Sequence, residues 1–146
     1  MGYESPLIVL AEDDDGTAIL IERNLLRSNV AHSVKRLRDG QEALDFLRCE
    51  GPYNGRNPKQ PTLLLLDIKM PRIDGVEALR QLKADERTAR VPVIMLTSSD
   101  DPSEIRRCYE LRCNAYVTKP VEYAEFAETL NRLGQMVEIM SFPECG

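Results

Sequence analysis

Acidic residues stand directly after two apolar runs: Glu12-Asp13 after Leu7-Ile8-Val9-Leu10-Ala11, and Asp67 after Leu63-Leu64-Leu65-Leu66. A hydroxyl, Thr97, ends a third run, Val91 to Leu96, and an ammonium, Lys119, follows a fourth, Ala115 to Thr118, just before Pro120. If these runs are strands of one sheet, the three carboxylates meet at its edge. Such a cluster repels itself unless a cation or a proton intervenes. An all-oxygen ligand set with room for water suits Mg²⁺, which takes one or two carboxylates and completes its shell with water and phosphate. A carboxylate nucleophile, a divalent cation, a hydroxyl and an ammonium are the parts needed to form and hold an acyl phosphate.

The elements that must position these groups are legible in outline. An unbroken apolar run such as Leu63 to Leu66 suits a strand buried on both faces of a parallel sheet. Leu7 to Ala11 and Ala115 to Thr118 read the same way, and Val34 to Leu37, stopping at Asp39-Gly40, is a weaker second strand. Between them lie helical patterns: Ala18, Ile21 and Leu25; Ala43, Leu44 and Leu47; Val76, Leu79 and Leu82 behind a capping Asp74; Ile105, Cys108 and Leu111 behind Asp101-Pro102. Asp13, Asp14 and Asp15 could each favour the positive end of the first of these helices, and Asp14 and Asp15 are read as doing only that. The Gly51 to Pro61 interval, rich in Gly, Pro and Asn, reads as an exposed loop.

A last stripe, Tyr123, Phe126, Leu130, Leu133, Val137 and Met140, runs through Gly134 and extends further than a core helix needs, as a frayed tail or a dimer contact would. Five strands alternating with five helices predict an α/β fold: a flavodoxin-like (βα)5, doubly wound, five-stranded parallel sheet in the order 2-1-3-4-5. On that order the first and third strands are neighbours, and the reactive crevice lies beyond their carboxyl ends. The whole chain, 1–146, is expected to be a single domain, with 134–146 as a C-terminal helical extension and tail.

The balance of 24 acids against 19 bases, a formal charge of -5, argues against direct nucleic-acid binding. No apolar stretch approaches a membrane span and the first six residues carry no signal-like pattern, so a cytoplasmic protein is expected. Cys49, Cys108, Cys113 and Cys145 lack metal-ligand spacing, with His32 the only histidine, and reduced, mostly buried thiols are expected.

Taken together, Glu12-Asp13, Asp67-x-x-Met70-Pro71-x-x-Asp74-Gly75, Thr97-Ser98 and Tyr116-x-x-Lys119-Pro120 resemble the response-regulator receiver domains of two-component signalling. The segments Arg38 to Leu47, Gly51-Pro52-Tyr53 and Asn114 to Val121 look more narrowly like the Rcp-type single-domain regulators of bacterial phytochromes. The resemblance implies that Asp67 accepts a phosphoryl group from a sensor histidine kinase, of phytochrome type, and later loses it by self-catalysed hydrolysis. It implies that Asp13, Asp67 and the backbone carbonyl of Lys69 ligate Mg²⁺, with Glu12 acting through water. Lys119 is then the partner of the phosphoryl oxygens or of Asp67, and Thr97 and Tyr116 are the switch pair. The implied output is a change on the surface of helix 4, strand 5 and helix 5, through which a homodimer is expected. A cis Lys119-Pro120 bond is also implied, within reach of the small penalty that proline carries.

Two positions qualify the resemblance. Arg112-Cys113 replaces a common Gly-Ala ahead of the fifth strand, implying a less permissive turn, and Lys69 stands where a side chain influences attack by water on the acyl phosphate. Two other chemistries share some of these residues. A Mg²⁺-dependent phosphohydrolase with an aspartyl-phosphate intermediate resembles this pattern, but haloacid-dehalogenase-like enzymes place an aspartate where Lys69 stands. A flavodoxin-like electron carrier would want a phosphate-binding loop where Glu12 to Asp15 lie.

Overall fold

The computed structural model describes residues 6–27 and 33–143. Five strands, β1 (Leu7–Ala11), β2 (Val34–Leu37), β3 (Thr62–Leu66), β4 (Val93–Thr97) and β5 (Ala115–Thr118), form one parallel sheet in the order β2-β1-β3-β4-β5. Five helices, α1 (Asp15–Arg27), α2 (Gly40–Arg48), α3 (Gly75–Ala84), α4 (Pro102–Glu110) and α5 (Tyr123–Ile139), cover it. Each strand of β3 and β4 is buried throughout, which is why their sequences read as continuous apolar runs rather than as alternation.

Alternate residues of the leucine strand feed two separate cores. Leu64 and Leu66 pack with α2, α3 and α4 residues such as Leu44, Leu79 and Cys108, whereas Leu63 and Leu65 pack with Ile21, Leu25, Phe126 and Leu130 from α1 and α5. All four are fully buried, so truncating any one to alanine costs about 2–5 kcal/mol.

Helix starts follow the expected chemistry. The Asp74 carboxylate accepts from the Glu77 N–H, Asp101 from the Ser103 N–H and Asp39 from the Glu42 N–H. Asp14 accepts from both the N–H and the hydroxyl of Thr17, while Asp15 forms ion pairs with Arg36 and Arg38 rather than capping. Glu77 does not reach back to close a capping box; its carboxylate is held by Arg80 and Gln81 instead.

Several expectations change. The strand before Thr97 begins at Val93, after Pro92, whose nitrogen has no hydrogen to donate and whose carbonyl accepts from the Leu64 N–H of β3. The 51–61 interval is the exposed loop expected, but it is anchored: Gly51–Tyr53 is a 3-10 turn, the Tyr53 ring meets Phe46 edge-on at 4.9 Å, and Arg56 lies over Phe46 and donates to Thr62 Oγ1. In α5, Tyr123 is exposed and leaves the core stripe. Leu133 and Val137 are buried, and Met140 and Phe142 pack on the same core, so the stripe beyond Gly134 belongs to the domain's own interior. Helical backbone ends at Ile139, and 140–143 follow it without helix; His32 and Cys145 lie outside the described residues.

The Lys119-Pro120 bond is trans, and no cis peptide occurs among the described residues. Trans remains the lower-energy isomer for an X–Pro bond. Cys108 and Cys113 are buried free thiols and Cys49 is half-buried. Burial pushes the Cys108 thiol up to about 11. No helix among the described residues is long and apolar enough to cross a membrane.

Candidate functional site

Strand register brings the carboxylates together. Ala11 of β1 is paired with Leu66 of β3, so the next residues, Glu12 and Asp67, leave the sheet side by side. The Asp67 N–H donates to the Ala11 carbonyl at 3.1 Å, holding the two strand ends abreast. On the other flank Thr97 of β4 is paired with Thr118 of β5, and the Lys119 N–H donates to the Thr97 carbonyl at 2.7 Å.

Lys119 Nζ lies 3.2 Å from Asp67 Oδ2 and also donates to Glu12 Oε1. The second oxygen of each acid is used as well. Asp67 Oδ1 accepts from the Ile68 N–H at 2.7 Å, and Glu12 Oε2 accepts from the Asp14 N–H at 3.1 Å. Glu12 is nearly fully buried, and that burial raises its pKa, opposed by the Lys119 ammonium.

Asp13 is exposed but completes the group: one carboxylate oxygen from each of Glu12, Asp13 and Asp67 lies within 4.8 Å of the others. Three hard oxygen donors open to water on one side fit a small divalent cation such as Mg²⁺. Lys69, two residues beyond Asp67, is exposed at the rim.

Thr97 is wholly buried, and its hydroxyl finds no hydrogen-bond partner among the described residues. A buried hydroxyl without a partner is costly, which marks the position as one where an acceptor would be gained. Tyr116 of β5 is half-buried; its hydroxyl donates to the Ser99 carbonyl at 2.8 Å, and the Ser99 hydroxyl in turn bonds Glu104. The loop between β4 and α4 is thereby tied to β5.

Local backbone demands surround Asp67. The Gly75 N–H donates to the Ile68 carbonyl at 2.8 Å, and a Cβ on Gly75 would lie 2.0 Å from the Asp67 carbonyl oxygen. Arg72 takes a left-handed conformation, φ 65°, and its guanidinium makes two bonds to Asp39, at 3.0 and 2.9 Å. The loop after Asp67 is thus pinned to the start of α2.

Sequence reasoning missed Arg36, Asp39 and Arg72, which hold the loops around the carboxylates. A signal existed for Arg36. Alternation along β2 puts it on the face of Val34, toward α1 and its acidic first turn.

A doubly wound α/β domain whose strand ends gather three carboxylates, a lysine and a buried threonine defines a receiver-type signalling protein. The chain belongs to the response regulator receiver domain family, whose profile matches residues 8–131. It is similar to the probable methanogenesis regulatory protein FilR2 of Methanothrix harundinacea, 36% identical over 131 residues, 89% of this chain and 83% of the relative. It is also similar to response regulator Rcp1 of Synechocystis sp., 37% identical over 113 residues, 77% of this chain and 76% of Rcp1. The crystal structure of Rcp1 in its Mn²⁺-bound form matches with a TM-score of 0.87 at 30% identity, covering 94% of this chain and 99% of that one. The phosphorylated cyanobacterial phytochrome response regulator RcpA matches with a TM-score of 0.89 at 33% identity, covering 96% and 99%.

Proposed function

We propose that this response regulator accepts a phosphoryl group on Asp67 from a phosphohistidine of a sensor histidine kinase of phytochrome type. The observation that carries the reading is Asp67 itself, 3.2 Å from the Lys119 ammonium and grouped with Glu12 and Asp13 as one oxygen ligand set. Its relatives Rcp1 and RcpA, the latter named as a phosphorylated phytochrome response regulator, support the pathway.

In this mechanism an Asp67 carboxylate oxygen attacks phosphorus, the P–N bond of the phosphohistidine breaks, and the released imidazole takes up a proton. Asp13, Asp67 and the Lys69 carbonyl would hold Mg²⁺, with Glu12 acting through water, and the ion supplies neutralisation of charge on the phosphoryl oxygens. Lys119 moves from its pairing with Asp67 to a phosphoryl oxygen. The Thr97 hydroxyl gains the acceptor it lacks. That movement draws on the β4–α4 loop, which Tyr116 holds through Ser99, so the ring of Tyr116 turns inward. The acyl phosphate is later lost to water with return of inorganic phosphate.

Residues 1–146 act in this mechanism as one receiver whose readout is the α4–β5–α5 surface. Tyr109, Val121 and Tyr123 are exposed there and suit an interface between two copies of the chain. Sedimentation of Tyr123→Asp tests this; a lighter species than wild type is expected, and an unchanged one removes the interface.

Incubation with Mg²⁺ and radiolabelled acetyl phosphate tests the acceptor. Label is expected on wild type and absent from Asp67→Asn; equal labelling of both removes the assignment. Transfer from a phosphorylated phytochrome-linked kinase is expected to be faster than from a kinase lacking that photosensor, and equal rates would remove the pathway.

A further inference from the structure

One guanidinium spans the acidic loop from end to end. Arg36 Nε donates to the Glu12 backbone carbonyl at 2.9 Å, and its NH1 nitrogen donates to Asp15 Oδ1 at 2.7 Å. These two contacts lie on either side of Asp13, the one exposed member of the ligand group. The Arg36 side chain is only 15% exposed, so it is not a solvated surface charge that happens to point this way.

We infer that Arg36 is a positioning residue for the divalent-cation site, setting the orientation of Asp13 through the Glu12–Asp13 peptide. The inference rests on the proposed phosphoacceptor reading. The Glu12 carbonyl and the Asp13 N–H belong to one rigid, planar unit, so a bond that fixes the carbonyl also fixes the direction in which the Asp13 Cα leaves it. The Glu12 N–H is already held by the Leu37 carbonyl at 3.0 Å. Arg36 and Leu37, neighbours on β2, therefore hold both peptide groups of Glu12 from the same edge strand. At the far end Asp15, the first residue of α1, is tied to Arg36 and also to Arg38 at 2.9 Å, and these arginines hold its carboxyl below the usual range.

Charge and geometry predict opposite outcomes, which makes the role measurable. As a cation beside a cation site, Arg36 should weaken metal binding, and its removal should tighten it. As a brace, its removal frees the Glu12–Asp13 peptide and weakens binding. Geometry is favoured, because the charge is already compensated by Asp15, whereas Arg36 alone among the described residues donates to the Glu12 carbonyl.

The test is Mn²⁺ binding to the unphosphorylated full chain, followed by electron paramagnetic resonance, for wild type, Arg36→Met, Arg36→Lys and Asp13→Asn. Far-UV circular dichroism and urea unfolding without metal check that each variant is folded. Arg36→Met is expected to bind about fivefold to tenfold more weakly, the equivalent of one lost hydrogen bond. Arg36→Lys keeps the charge and the stem but cannot span both contacts, so it is expected between wild type and Arg36→Met. Should Arg36→Met not fold, Arg36→Lys alone decides. Binding as tight as wild type, or tighter, in the folded variants overturns the positioning role while leaving the phosphoacceptor reading intact. Absence of Mn²⁺ binding by wild type, or its indifference to Asp13→Asn, overturns both.

Discussion

Lys119 and Asp67, 52 positions apart in the chain, meet at 3.2 Å in the crevice beyond the sheet, and the same ammonium also holds Glu12. Two nearly buried carboxylates therefore share one positive charge. Removing Lys119 and removing Asp67 should act in opposite directions on stability. Lys119→Met is expected to lower the metal-free unfolding free energy by about 3 kcal/mol, as breaking a buried pair does. Asp67→Asn relieves the repulsion with Glu12 and is expected to raise it by about 1 kcal/mol. Urea titrations without divalent ions read both, and a shift of the same sign in the two variants would refute the shared-charge account.

Gly75 is required by the close approach of its own backbone to that of Asp67. Gly75→Ala must move the Asp67 carbonyl, since the added Cβ would stand 2.0 Å from it. A loss of about 2–4 kcal/mol is expected, at the upper end of overpacking costs because backbone has to yield. At Gly16 of α1 an added Cβ meets only Asp14 Oδ2, at 3.6 Å, an ordinary contact. Gly16→Ala is expected to gain about 0.5 kcal/mol from the helical preference of alanine. Thermal melts of the two variants should move in opposite directions.

Arg112 occupies a left-handed conformation, φ 72°, and donates to the Lys83 carbonyl at 2.7 Å. Strain and hydrogen bond are each worth about 1 kcal/mol and oppose one another. Arg112→Gly, which loses both, should leave stability near that of wild type. Arg112→Ala loses the bond and keeps the strain, so it should fall about 1 kcal/mol below. Equal unfolding midpoints for the glycine and alanine variants would show that the turn carries no strain.

Asp85, next to the end of α3, is bound by Arg87 at 2.8 Å and lies 3.2 Å from Arg48. The hydrogen bonds from Arg87 lower its pKa from 3.8 to about 2. A carboxyl depressed in the folded state contributes stability above its unfolded pKa and loses it as pH falls through the folded one. Since Arg87 is half-exposed, solvent screening limits the contribution to about 1 kcal/mol. The stability difference between wild type and Asp85→Asn should be constant at neutral pH and close between 3.8 and about 2. A difference that does not change across that interval would disprove the linkage.

Lys69 is exposed two residues beyond Asp67, and under the proposed phosphoacceptor role of Asp67 it is expected to hinder water approaching the acyl phosphate. Lys69→Ala should shorten its lifetime about threefold, a barrier change of about 0.7 kcal/mol. Decay of labelled protein after removal of acetyl phosphate measures it, and an unchanged lifetime counts against the role.

The leucine run, the alternation of strands and helices and the acidic, hydroxyl and ammonium residues at the strand ends were all legible in the chain. Apolar periodicity and local capping chemistry depend on near neighbours, so each element could be read where it stands. Alternation along β2 gives Arg36 its face, but its partners, the Glu12 carbonyl and the Asp15 carboxylate, are brought within reach only by the β1–β2 register. The turn before β5 shows the same division: the positive φ of Arg112 belongs to the local end of α4, where the Cys113 N–H donates to the Cys108 carbonyl, but its bond to the Lys83 carbonyl needs α3 to lie alongside. Likewise, the stripe beyond Gly134 could have served a partner, and only the docking of α5 on α1 buries it within the domain. Sequence by itself determined which chemistry the strand ends carry. Tertiary structure decided which of those groups touch, because contacts between residues far apart in the chain depend on register and docking, which no local pattern encodes.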